Sequence, residues 1–177
     1  QAALAAIAVG PQAKLVNALL GYQPLRRFLQ GSLGLAADRP LPRFANERLS
    51  AWFTQRAPQA LSGITSGRVL LFNDTYLEHY QPQIGIAAIE LLEAAGYGVE
   101  LVSVGDSQRG AISQGDLDRA KRMGTELFKQ LDQLGDGAPI LMCEPSCASA
   151  LADDLPDLID DEALGQRVAG RVQMLDH

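Results

Sequence analysis

The sequence predicts an α/β fold: a parallel sheet with flanking helices, preceded by a helical lead-in. Three observations lead there. From Gly67 onward, short apolar runs alternate with segments of helical period. The runs are continuous, as in strands buried on both faces. Residues 1–66 before them are Ala/Leu-rich and broken by prolines, with no comparable strand signal. At 177 residues, 47 % hydrophobic and 20 % charged, the chain has the balance of one globular domain rather than a disordered or fibrous one.

In the lead-in, Pro11, Pro24, Pro40, Pro42 and Pro58 divide short helices joined by turns. Pro40-Leu41-Pro42 reads as an extended bridge, after which Asn46 is expected to cap a helix through Phe53, with Trp52 and Phe53 as packing aromatics on its buried side. The α/β part is expected over residues 67–177. Its first strand is Arg68-Val69-Leu70-Leu71-Phe72. Ile84, Ala87, Ala88, Leu91, Leu92 and Ala95 then recur at helical spacing until Gly96 stops the helix. Val99 to Val104 supplies a second strand. Ser113 is expected to cap a helix carrying Leu117, Ala120, Leu127 and Leu131, with Asp116 in its first turn. Pro139-Ile140-Leu141-Met142 is the third strand, and Ser146 is expected to cap the helix after it. A last helix from about Asp160 would place Leu164, Val168, Val172 and Leu175 on one face. Strands alternating with helices imply right-handed crossovers and a Rossmann-like half.

Fifteen Lys and Arg against 21 Asp and Glu give a net charge of -6 with no basic stripe, so no nucleic-acid partner is expected. The longest apolar run, Ala2 to Val9, is far short of the roughly 20 residues a membrane-spanning helix needs, so no transmembrane segment is expected. Two cysteines, Cys143 and Cys147, make no disulfide framework and point to a reducing, cytoplasmic setting. The chain opens at Gln1 inside an apolar helix-like stretch and stops at Leu175-Asp176-His177 with neither a Met start nor a signal-peptide pattern, and is read as a piece of a larger protein. The acids Asp153, Asp154, Asp157, Asp160, Asp161 and Glu162 fall at turns and helix starts, where carboxylates suit the helix dipole, and are expected to be solvated rather than metal-bound.

In an open parallel sheet the binding crevice lies beyond the carboxyl ends of the strands. Three loops are expected to meet there: Asn73-Asp74-Thr75-Tyr76, Gly105-Asp106-Ser107-Gln108-Arg109-Gly110, and Glu144-Pro145-Ser146-Cys147. The candidate crevice residues are Asp74, Asp106, Ser107, Arg109, Glu144 and Cys147. At the first turn of a helix, Cys147 would have its thiolate favoured, as suits a ligand or nucleophile; the alternative is a small buried side chain. Neither His79 nor His177 is placed to serve it as a base. Arg109 suits either a substrate carboxylate or an internal ion pair with Glu144 or Asp106. No Gly-rich fingerprint follows the first strand, which argues against NAD or ATP.

Leu71-Phe72-Asn73-Asp74-Thr75-Tyr76, Tyr80-Gln81-Pro82, Ala94-Ala95-Gly96-Tyr97-Gly98-Val99, Arg109-Gly110-Ala111-Ile112-Ser113-Gln114-Gly115 and Glu144-Pro145-Ser146-Cys147, in that order, resemble the cysteine-rich CCG domain. More narrowly, they are similar to the copy near the C-terminus of FAD-linked oxidases that carry a ferredoxin-type iron-sulfur domain and are related to D-lactate, glycolate and D-2-hydroxyglutarate dehydrogenases. The match runs from about Phe44 to Leu158. The resemblance implies an accessory domain of a parent that oxidises 2-hydroxy acids at FAD and passes electrons through 4Fe-4S clusters. Its partners would be the parent's other domains, including a second copy of this one, with self-association through exposed apolar surface and a cytoplasmic place, peripheral to the membrane through the parent's electron acceptor. The sequence departs from that pattern: Asp106-Ser107-Gln108 stands for Cys-Cys-Gly and Asp74 for the first cysteine, while only Cys147 matches. Clusters usually take four thiolates, so no cofactor or metal is expected in this piece. A docking module that has lost its cluster ligands is the alternative reading.

Overall fold

The computed structural model describes residues 12–33, 38–39, 41–57 and 64–176. The apolar run from Ala2 to Val9, together with Pro11, Pro40, Pro58 and His177, lies outside the described residues. The lead-in contributes α1 (Ala13–Gly21), α2 (Gln23–Leu33) and α3 (Leu49–Gln55). Asn46 does not cap α3. Arg48 holds that position with no side-chain cap, because a partner from elsewhere in the chain does the work. The Glu78 carboxylate accepts the Ser50 N–H at 3.0 Å and the Ser50 hydroxyl at 2.7 Å, bringing negative charge to the dipole's positive end. Trp52 and Phe53 pack half-buried against the core, and the Arg56 guanidinium lies 4.3 Å from the Phe53 ring centre while pairing with Glu93.

The sheet is fully parallel, with β1 (Gly67–Phe72), β2 (Tyr97–Val102), β3 (Ile140–Met142) and β4 (Val172–Met174) in the order β2-β1-β3-β4. β2 starts and ends two residues before the expected Val99 to Val104. Gly67 pairs with Tyr97, and the Asn73 N–H takes the Val102 carbonyl, after which the chain leaves the sheet. Helices α4 (Thr75–His79) and α5 (Pro82–Ala94) connect β1 to β2. Helices α6 (Arg109–Ser113) and α7 (Leu117–Asp132) connect β2 to β3. After β3 come α8 (Pro145–Ser149), a π turn over Ala150–Asp154, α9 (Leu155–Leu158) and α10 (Glu162–Ala169).

Two expected caps move. Ser113 ends α6 instead of starting α7. Asp116 is the N-cap and accepts the Arg119 N–H, because Gly115, at φ +75°, has already turned the chain. Ser146 lies inside α8, whose N-cap is Glu144. The last expected helix also ends early, since Val172 and Leu175 do not continue α10. The Arg171 guanidinium takes the carbonyls of Leu131, Leu134 and Ala138, and the Arg171 carbonyl takes the Ile140 N–H, which turns the chain into a fourth strand.

Both faces of the sheet are covered. Leu70, Phe72, Ile140 and Met142 pack with Leu127, Phe128 and Leu131 of α7, Leu151, Leu155 of α9, and Leu164 and Val168 of α10. Val69, Leu71 and Leu141 pack with Leu49 of α3, Leu77, and Ala88, Ile89 and Leu92 of α5. The strand period of two sends neighbours such as Leu70 and Leu71 into opposite cores. The winding explains the division. From β1 the chain steps to one side to reach β2, then returns past β1 to β3; with right-handed crossovers that reversal moves the connecting helix to the other face. The reversal lies between β1 and β3, where a crevice opens at the strands' carboxyl ends.

Candidate functional site

At the end of β1, Asp74 is fully buried and caps α4, its Oδ1 accepting the Tyr76 N–H at 2.7 Å and the Leu77 N–H at 3.0 Å. Burial pushes its carboxyl above the usual carboxylate range, against the two backbone hydrogen bonds, and the neighbouring charges of Glu144 and Asp106 push the same way. Its other oxygen, Oδ2, is buried without a hydrogen-bond partner.

The β2 loop carries Asp106, Ser107, Gln108 and Arg109. Ser107 is fully buried and its hydroxyl donates to the Cys147 sulfur at 3.0 Å. Gln108 is left-handed, φ +61°, a conformation uncommon outside glycine, and its side chain donates back to the Asp106 carbonyl at 2.9 Å. Arg109 pairs with neither Glu144 nor Asp106. Its guanidinium meets Asp154 at 2.7 Å and the Ser113 hydroxyl at 3.2 Å, because the π turn after β3 ends on Asp154 and presents its carboxylate to the start of α6.

In the β3 loop, Glu144 turns back on the helix it caps, accepting the Cys147 N–H and the Ser146 hydroxyl, both at 2.6 Å. Burial alone would raise its carboxyl; these hydrogen bonds hold it below its ordinary value. Of the two readings of Cys147, the structure favours the small buried side chain over the thiolate. The residue is 5 % exposed, and burial, helped by the charges of Asp74 and Glu144, pushes its thiol up to about 12. Desolvation outweighs the Ser107 hydrogen bond, so Cys147 is a protonated, buried side chain at neutral pH. Cys143, half-buried, is pushed up to about 11 by burial and Asp74.

Asp106, Ser107, Arg109 and Cys147 come together in the lining of a cleft of about 500 Å³. Asp74 is among the residues of a second pocket of about 380 Å³ that shares Thr75 and Asp106 with the first. Glu144 lines neither. The cleft is also lined by Tyr76, from a loop expected there, and by Pro42, Phe44 and Tyr80, which the sequence did not place there. Phe44 stacks on Tyr80 with ring centres 5.1 Å apart, and Tyr76 lies 5.9 Å from Tyr80. Tyr76 and Tyr80, four residues apart, carry a one-face signal, whereas nothing local marks Phe44.

The acids after Asp153 divide. Asp161 caps α10 through the Leu164 N–H, Asp160 pairs with Lys121 at 2.5 Å, and Asp154 serves Arg109. Among the described residues, no three His, Cys, Asp or Glu side chains are grouped to hold a metal ion, and no helix is long and apolar enough to cross a membrane.

No family model matches the chain, and no solved structure matches it significantly. Among curated proteins, the chain is similar to one subunit of the anaerobic glycerol-3-phosphate dehydrogenase of Escherichia coli strain K12, 27 % identical over 161 residues. The same protein of Escherichia coli O157:H7 matches equally. The aligned part is 89 % of this chain and 40 % of each relative's length, so the chain spans less than half of the curated relatives it matches.

Proposed function

We propose that this chain is an accessory part of a redox enzyme built from several domains or subunits, and that its cleft docks a neighbouring part of that enzyme rather than carrying out chemistry alone. The observation that carries the reading is the Ser107–Cys147 contact. Where a cluster-bearing site would bring thiolates together, a hydroxyl stands 3.0 Å from a protonated thiol. Two cysteines do not make the four-thiolate donor set a 4Fe-4S cluster usually takes, so the residues present do not fit a cluster held by this chain alone. The similarity to one subunit of a dehydrogenase supports a redox setting with partners.

The finer reading rests on the ordered motifs quoted above. In it the parent oxidises a 2-hydroxy acid at FAD and passes electrons through 4Fe-4S centres outside this chain, which closes over or docks near them. Arg109, Asp106 and Ser107, with the aromatic wall of Phe44, Tyr76 and Tyr80, would form the contact surface. Anaerobic reconstitution with iron and sulfide tests the cluster-free claim; a stoichiometric cluster with its visible absorption overturns it. In the full parent, Arg109→Glu is expected to leave substrate reduction of the flavin unchanged and to slow electron delivery to the acceptor at least tenfold. Unchanged delivery sinks the docking role, and substrate turnover by this chain alone sinks the accessory one.

A further inference from the structure

Two charged side chains line the cleft, Asp106 and Arg109. Arg109 is already engaged, since Asp154 and the Ser113 hydroxyl hold its guanidinium. Asp106 is not. Its carboxylate takes a long hydrogen bond from the Ser107 hydroxyl, 3.4 Å, and is in no ion pair among the described residues. Arg48 lines the second pocket with Asp106 and does not line the cleft. The acids nearby add to the sign of Asp106. Beyond burial, the neighbouring charges felt by Asp74 are those of Glu144 and Asp106, and those felt by Cys147 are Asp74 and Glu144. This end of the sheet therefore presents negative charge to a group entering the cleft.

Three rings line the same cleft. Phe44 and Tyr80 stack on one another, and Tyr76 stands beside them, 5.9 Å from Tyr80 and 53 % exposed, with ring surface left open. An aromatic face with a carboxylate is the setting of a guanidinium, which lies over the electron-rich ring and forks onto the two carboxylate oxygens. The chain builds that setting once within itself. The Arg56 guanidinium lies 4.3 Å from the Phe53 ring centre and 5.5 Å from that of Trp52, and donates to both oxygens of Glu93 at 2.7 and 2.6 Å. In the cleft the rings and the acid are present, and no described arginine of this chain pairs with the acid.

We propose that the cleft receives an arginine side chain of the neighbouring part of the enzyme, its guanidinium over Tyr76 and paired with Asp106. The proposal rests on the docking reading and names the group that docks. A cleft of about 500 Å³ is of the size one small ligand fills, so its rings and its carboxylate lie within reach of one long side chain. Lysine brings the charge without the flat fork, and citrulline has arginine's shape without the charge.

The 177-residue chain is titrated with blocked glycine tripeptides whose central residue is arginine, lysine or citrulline, while NMR follows the Tyr76 and Tyr80 rings. The arginine peptide is expected to shift both rings saturably, the lysine peptide to bind several-fold more weakly, and the citrulline peptide to do nothing. Asp106→Asn is expected to weaken the arginine response at least about tenfold, as loss of a charge-assisted hydrogen bond does, and Tyr76→Leu about threefold, as read at Tyr80. Neither change touches the frame, since Gln108 is held by the backbone carbonyl of Asp106, and the Tyr76 N–H, not its ring, bonds Asp74. No response to arginine, an equal response to lysine or citrulline, or an undiminished response in Asp106→Asn overturns the proposal. In the full parent, Asp106→Asn is expected to slow electron delivery as Arg109→Glu does. Slowing by Arg109→Glu alone leaves the docking reading standing and overturns the arginine; slowing by neither overturns both.

Discussion

The side-chain amide of Asn17 clasps the backbone of Phe44, donating to its carbonyl at 2.8 Å and accepting its N–H at 2.9 Å. Through that pair the lead-in is tied to the cleft, because Phe44 in turn stacks on Tyr80. Two half-buried hydrogen bonds are each worth about 0.5–1.5 kcal/mol. Asn17→Ala is therefore expected to loosen residues 41–48 while leaving the sheet intact. Hydrogen exchange checks this: amides in that stretch should exchange faster, and those of Val69 to Phe72 should not. Uniformly faster exchange would mean the lead-in supports the whole fold.

The buried thiols give a direct chemical readout. With Cys143 at about 11 and Cys147 at about 12, neither is a thiolate at neutral pH. Iodoacetamide is expected to leave both essentially unmodified at about pH 7.5 in the folded protein and to alkylate both after unfolding. As pH rises, the native rate should climb about tenfold per unit with Cys143 reacting first. A rate already at its plateau near pH 7 would restore the nucleophile that the structure removes.

Asp74 sets a pH dependence of stability. Its folded carboxyl lies above the ordinary 3.8, so the folded chain holds that proton more tightly than the unfolded one. The resulting stabilisation is complete below pH 3.8 and is lost as pH rises through the folded value. Above the folded value the ionised group counts against the fold. Asp74→Asn is expected to be more stable than the parent sequence at pH 7 by about 1 kcal/mol, the low end of the cost of a buried unpaired acceptor. The gap should shrink in acid, as followed by urea unfolding at several pH values.

The Arg109–Asp154 pair, 28 % and 34 % exposed at its two side chains, fastens α6 to the π turn. Partial solvation limits its worth to about 0.5–1 kcal/mol in a double-mutant cycle with Arg109→Ala and Asp154→Ala. A coupling near zero would mean that the ion pair does not fix the cleft wall. By contrast, Phe128→Ala, which empties a fully buried site beneath the sheet, should cost about 3–5 kcal/mol.

The strands at Arg68 to Phe72 and Ile140 to Met142 were legible because burial on both faces writes an unbroken apolar run, and α5 because its apolar residues recur at helical spacing. The fourth strand was not. Val168 and Val172 are four apart, a spacing that fits the helix period of 3.6 and the strand period of two alike, and the turn between them depends on Arg171 reaching three distant carbonyls. The caps at Asp116 and Glu144 were missed in favour of nearby serines, since a hydroxyl and a carboxylate serve equally well until the turn geometry is known. The loops that converge were foreseen from topology. The state of Cys147 stayed open between a thiolate and a small buried side chain, because a helix start argues for the first and only tertiary cover from Ser107 and the surrounding core decides for the second. The aromatic wall combines residues more than thirty positions apart.

Gln108 offers a different kind of information. A left-handed residue with a side chain gives up about 1–2 kcal/mol against a right-handed one, whereas glycine adopts the turn freely. Gln108→Gly is accordingly expected to be tolerated, with a change in Tm of a few degrees at most, because relief of strain offsets the lost bond to the Asp106 carbonyl and the looser unfolded chain. The path of the peptide at Gln108 is then set by the anchors on either side of it, Ser107 on Cys147 and Arg109 on Asp154, more than by its own side chain. Gln108 thus behaves as a joint between two moorings: its side chain can be exchanged while the residues that flank it stay where the frame holds them.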